Sequence, residues 1–355
     1  MSNLVHDARA LAEKLRFSRD IRRQTELTVE SDLQPALDEA NINQLRVTSE
    51  VTPGLAKSLS EVCRKLKLPF SAINSYVYPT PDIQAECYSD LDDKCIIRFS
   101  SGLIDLLNEQ EFQFVAGHEI GHFLLQHGVS GIGKHKDSLE YFILSRYQEI
   151  SVDRLGLYAC GSVDIAIKAM MKTLSGLSGR HLRQDTGAFI SQLKEVNSVS
   201  SQMMSTHPSI PVRCRALLWF SMECDLSPNT IDSSKKTIEL IDQRIENDID
   251  KYVDRDARDI IEKAKSNLAM WLMISTTVKN GVFKESEQKQ FSENFGAEVL
   301  TKMKNFLSNL NTKNAEEVVY ERVLEARGCL EKLIPESFET EMKNFITKYE
   351  LEEFK

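Results

Sequence analysis

The stretch Val115–Leu125, VAGHEIGHFLL, is the densest chemical signal in the 355-residue chain. Read as a helix, it sets His118 and His122 about 40° apart round the axis, so both imidazoles leave one face and can hold a single metal ion. Glu119 lies about 60° from His122, near enough to take a proton from a water at that ion without occupying a coordination position. The remaining positions are apolar nearly all round, with Phe112, Ala116, Ile120, Phe123 and Leu124 on the far face and Phe114, Val115 and Leu125 nearer the ligands. Such a helix is buried. Two imidazoles and a carboxylate inside it need a partner, and a cation supplies one. Gly117 and Gly121, on one side, leave room for a second element to approach.

A catalytic zinc site needs one more protein ligand and one position for water. A histidine six residues beyond the second would fall on Gly128, which excludes that arrangement. His127 lies about 180° from His118 on the helical wheel, which predicts a surface or capping place for it. Downstream, the predicted helix Leu139–Cys160 carries Glu149 and Asp153 four apart on one face. Glu149 is the expected third ligand, and Asp153 the expected acceptor of a hydrogen bond from the distal nitrogen of His118. Glu140 is the rival ligand and lacks such a paired acid.

The composition frames this reading. A chain with 41% hydrophobic and 27% charged residues, Gly 15 and Pro 9 is an ordinary globular one of two or three domains. Lys+Arg 44 against Asp+Glu 53 gives a net charge of -9, which argues against a nonspecific nucleic-acid binder. No apolar run approaches the roughly 20 residues that cross a bilayer. Asn267–Val278 (NLAMWLMISTTV) therefore reads as a buried helix. The N-terminus lacks a secretory apolar stretch, and seven cysteines without a CxxC pair suit a reducing compartment. The expected localisation is cytoplasmic. A thiol from Cys87 or Cys95 is weighed as an occupant of the open zinc position, with structural burial preferred.

Along the chain, residues 1–60 read as a helical lead-in, with Leu4, Ala8, Leu11 and Leu15 on one stripe. Ser75–Tyr78 and Cys95–Phe99 read as strands of a small sheet. Helices over Gln110–His127 and Leu139–Cys160 follow, separated by a glycine-bearing loop, and they complete a domain over 61–226. Residues 227–355 form charged amphipathic helices, a separate all-α C-terminal domain.

Three separated segments, residues 96–127 (IIRFSSGLIDLLNEQEFQFVAGHEIGHFLLQH), 148–156 (QEISVDRLG) and 206–217 (THPSIPVRCRAL), resemble in order the CAAX prenyl protease and HtpX-type family of zinc metallopeptidases. The resemblance covers about residues 60–220. It implies an α+β zincin-type domain with one Zn²⁺, His118, His122 and Glu149 as metal ligands and Glu119 as general base. It further implies that His207 donates a hydrogen bond to the oxyanion of the tetrahedral intermediate and that Arg213 supports the site from behind. The family's membrane-embedded members carry transmembrane helices, so a prenylated substrate does not carry over. Where the family tends to have an Asn-Ala segment lining the cleft, this chain has Ala85, Glu86, Cys87 and Tyr88. Residues 268–296 are similar to the helix, turn and helix of TerB-like domains, with Asn280 in place of the usual Asp before Gly281.

The expectation is thus a mainly α protein with a small β-sheet, a zinc endopeptidase acting on peptides or unfolded segments held along an edge strand near residues 86–99. The competing expectation is a binding or regulatory protein with a latent or structural zinc site, working through a protein partner at its C-terminal helices. An intact Glu119 with three protein ligands in view argues for the enzyme.

Overall fold

The computed structural model describes residues 5–20, 33–89, 94–127, 136–195, 203–225, 235–281, 283–309 and 314–349. Leu4 and most of the glycine-bearing loop lie outside them. The chain divides into two compact units, one made of Met1–Lys134 and Phe142–Asp254, the other of His135–Tyr141 and Arg255–Lys355.

Within the described residues, unit 1 carries α1 (His6–Leu15), α2 (Gln34–Asn43), β1 (Leu45–Arg46), α3 (Pro53–Lys65), β2 (Ile73–Tyr78), β3 (Ala85–Ser89), β4 (Cys95–Ser100), α4 (Ser101–Leu106) and α5 (Glu109–Leu125). It continues with α6 (Leu139–Cys160, from Phe142 onward), α7 (Val163–Ser175), α8 (Thr186–Ser191), α9 (Ile210–Glu223) and α10 (Lys235–Ile249). The four strands lie in the order β1-β2-β4-β3, with β2 and β4 parallel and the outer pairs antiparallel. The two expected strands are there, slightly longer. β1 interrupts the predicted helical lead-in by pairing Leu45 with Val77.

Strand β4 shows why the sheet sits inside the protein. Its side chains alternate between faces. Cys95, Ile97 and Phe99 enter the main core with α1, α3 and α5, whereas Ile96 packs on the other face with Tyr76 and with Ala40 of α2. β3 forms one edge of the sheet and runs close to α5.

Helix α5 starts at a capping box: the Asn108 side chain accepts from the Glu111 amide, and the Glu111 carboxylate accepts from the Asn108 amide. The predicted burial of this helix holds, and the two glycines explain how α6 packs on it. A Cβ on Gly117 would sit 2.5 Å from Ala159 Cβ, one on Gly121 3.0 Å from Val152 and Leu155, and one on Gly156 2.7 Å from the Phe114 carbonyl. Backbone contact at this range is open only to glycine, and it brings the polar faces of α5 and α6 together.

Helix α10 also belongs to unit 1. Its Asp242 is buried and paired with Arg154 of α6, itself buried between Phe17 and Phe220. The compact units accordingly divide after Asp254, later than the composition change at 227.

Unit 2 carries α11 (Arg255–Asn280), α12 (Glu285–Phe295), α13 (Ala297–Asn309), α14 (Ala315–Leu333) and α15 (Phe338–Tyr349). The weakly polar run 267–278 is buried within α11, where Leu268, Leu272 and Ile274 are inaccessible or nearly so, and α11 packs chiefly on α14. Among the described residues no helix is long and apolar enough to cross a membrane.

Candidate metal centre

His118 and His122 from α5 and Glu149 from α6 converge, with one ligand atom from each lying within 4.8 Å of the others. The His118 Nε2 is 3.6 Å from Glu149 Oε2, and the His122 Nε2 is 3.5 Å from Glu149 Oε1. Both rings turn their Nδ1 atoms outward to other partners. His118 Nδ1 lies 3.0 Å from Asp153 Oδ1, as the i, i+4 pairing on α6 predicts. Glu149 Oε2 is buried and accepts no hydrogen bond.

Arg213 of α9 backs the acidic side. Its Nε and one terminal nitrogen donate to the two Asp153 oxygens at 2.8 and 2.6 Å, and its other terminal nitrogen lies 3.1 Å from Glu149 Oε2. His207 places its Nε2 3.4 Å from Glu149 Oε1, while its Nδ1 is 2.8 Å from the Thr206 hydroxyl. The turn bearing His207 is held from α6: fully buried Arg146 donates to the Ser205 carbonyl at 2.5 Å and pairs with Asp254 at 2.6 Å. His118, Glu119, His122, Glu149, Asp153, His207 and Arg213 thus fall at one place.

The electrostatics favour a cation. Glu119, Glu149 and Asp153 face the single guanidinium of Arg213 in a buried setting. Burial alone would raise the Glu149 carboxyl, but Arg213 and the two imidazoles hold it well below the usual carboxylate range. Asp153 is likewise held low against its burial, chiefly by Arg213. Burial pushes Glu119 above the ordinary carboxylate value, against the pull of His118 and His122. Burial would depress His122, yet Glu149 and Glu119 lift it to about 9. The carboxylates therefore draw positive charge to the point where the two Nε2 atoms meet. Two nitrogen donors, a carboxylate oxygen without a hydrogen bond and this field fit a divalent cation of the zinc type.

One expectation is corrected. His127 is neither on the surface nor merely capping: its Nδ1 lies 3.1 Å from His122 Nδ1 and its Nε2 3.0 Å from the buried Asp20 carboxylate. The wheel fails because α5 ends at Leu125. Gln126 takes a left-handed conformation (φ 61°), and the His127 amide donates back to the His122 carbonyl at 3.0 Å, which folds the ring over His122. Asp20 and Ser151 escaped the sequence reading altogether, since nothing local marks residues 20 and 151 as neighbours of a histidine.

Glu140 does not join the cluster. Its carboxylate accepts from the Glu336 amide at 2.8 Å and from the Ser337 hydroxyl, within unit 2. Cys95 is buried, and burial pushes its thiol well above the ordinary value; Cys87 Sγ lies 3.8 Å from it. Neither belongs to the ligand group found among the described residues.

Residues 50–143 and 135–219 match the model of Peptidase family M48. The match covers β2, β3 and β4, the helices α5 and α6 and the segment with His207 and Arg213, and it supports a metallopeptidase function. Comparison with the curated proteins and with the solved structures gives no match.

Proposed function

We propose that this chain is a zinc-dependent endopeptidase that hydrolyses peptide bonds in proteins or unfolded segments. The observation that carries the reading is the meeting of His118 Nε2, His122 Nε2 and Glu149 within 4.8 Å, with Glu119 beside them on α5. These three residues would hold the ion, and when bound it polarises the scissile carbonyl and acidifies water at its open position.

The chain's own groups do the rest. Glu119, on the same helix face, accepts the proton of the attacking water and delivers it to the leaving amine. A raised carboxyl value suits it to both halves of that transfer. His207 donates from Nε2 to the developing oxyanion, its Nδ1 being held by the Thr206 hydroxyl. Asp153 accepts from His118 Nδ1, which would leave that ring's Nε2 to hold the ion, and Arg213 fixes both acids. The substrate lies extended along the edge of β3 that pairs with no strand among the described residues, where backbone hydrogen bonds need no particular side chain. A CAAX/HtpX-type affiliation, a TerB-like fold for 268–296, a protein partner there and a cytoplasmic setting belong to the same proposal.

The test is Glu119→Gln. It should keep stoichiometric zinc by elemental analysis and lose casein hydrolysis by about 10²-fold or more. Cleavage at the wild-type rate would defeat the mechanism.

A further inference from the structure

Outside the groups used above, one buried polar chain reaches the site from the N-terminal side. Residues 15–20 are pinned along α6: Arg154 donates to the Leu15 carbonyl at 3.4 Å, the Phe17 ring packs on Tyr147, and the Phe17 amide donates to Ser151 Oγ at 3.0 Å. The Ser18 amide donates to Asp242 at 2.8 Å. These anchors bring Asp20, 4% exposed, beneath His127.

With His127 neutral, the hydrogen bonds along this chain run in one direction. Ser151 Oγ, already an acceptor from Phe17, donates to Asp20 Oδ2 at 2.6 Å. The same oxygen faces His127 Nε2 at 3.0 Å, and a carboxylate oxygen accepting two bonds requires the proton on that nitrogen. In a neutral ring His127 Nδ1 is then an acceptor. It lies 3.1 Å from His122 Nδ1, where two bare nitrogens would repel, so His122 Nδ1 must carry the proton and donate. This makes Nε2, the atom that faces Glu149, the nitrogen of His122 through which it would hold an ion.

We propose that Asp20 and His127 form a positioning relay for His122, an Asp20–His127–His122 chain that fixes the tautomer and orientation of the second metal-ligating ring from the N-terminal segment. The proposal rests on the zinc-peptidase reading for its purpose, and its proton assignment holds for a neutral His127 ring. His118 is fixed by a carboxylate directly and His122 by a carboxylate through an intervening imidazole, so the two ligands are served by separate parts of the chain.

Two measurements test it. In metal-free wild-type protein, ¹⁵N–¹H correlation of the imidazoles should find His127 as the neutral Nε2–H tautomer with His122 protonated at Nδ1. An Nδ1–H tautomer or an imidazolium at His127 overturns the relay. Zinc affinity, read by competition with a chromophoric chelator, should fall about 10- to 100-fold in His127→Leu. It should stay near wild type in His127→Gln, whose amide can accept from His122 and donate to Asp20. A leucine variant with native circular dichroism and native affinity, or a glutamine variant as weak as the leucine one, refutes the proposal. Should the leucine variant not fold, the tautomer in the wild type decides. Wild-type protein that binds no zinc overturns the peptidase reading, while the tautomer result stands or falls separately.

Discussion

Asp153 serves two partners at once, accepting two hydrogen bonds from Arg213 and one from His118 while almost wholly buried. Removing it leaves the Arg213 cation in a low-dielectric site with only Glu149 beside it. Asp153→Ala should therefore cost about 3–5 kcal/mol in urea unfolding. The same pair of acids predicts the acid limb of stability. Glu149 and Asp153 are both held below their ordinary values, so their contribution is complete above the unfolded-state range near pH 4 and is lost as pH falls further through the depressed folded values. Melting of the metal-free protein followed from pH 6 downward should drop steeply below about pH 4, and Asp153→Asn should flatten that drop. A melting temperature insensitive to acid in this range would contradict the ion-pair account.

At the scale of elements, the α5–α6 pair depends on absent side chains. Gly156→Ala would drive a methyl into the Phe114 carbonyl, which cannot rotate aside, and should cost about 1–3 kcal/mol. Gly54→Ala in α3 is the matched control: its Cβ meets nothing within 4 Å, so it should stabilise by up to about 1 kcal/mol. Thermal melts of the two variants moving the same way would contradict the packing argument. The glycines at 117 and 121 were legible in the sequence because helical periodicity places them on one side, and the juxtaposition of His118 with His122 was legible for the same reason. His127 was not. Its position depends on the chain leaving the helix at Gln126, a left-handed residue that is not glycine and so carries no turn signature. β1 was hidden by its length, since two residues make no period, and β3 was legible only through the family resemblance, because its AECYS holds no run of β-branched residues.

For the molecule as a whole, the least legible feature was where unit 1 ends. The sequence past residue 227 alternates charge as a solvated helix does, but Asp242 has its partner, Arg154, 88 positions away on α6. No periodicity reports such a pairing. Asp242→Ala should strand a buried guanidinium and cost about 3–5 kcal/mol. Glu223→Ala, which removes the exposed partner of Arg244, should cost about 1 kcal/mol or less. Chemical denaturation of both variants checks the contrast, and equal costs would remove α10 from the cooperative unit.

The reach of the centre along the chain, from Asp20 to Arg213, carries a consequence for biosynthesis. Translation delivers the first of these residues before the last, so a nascent polypeptide that ends short of Arg213 lacks part of the centre. Under the proposed function, a ribosome-bound chain would hold no complete centre until that last segment had been made.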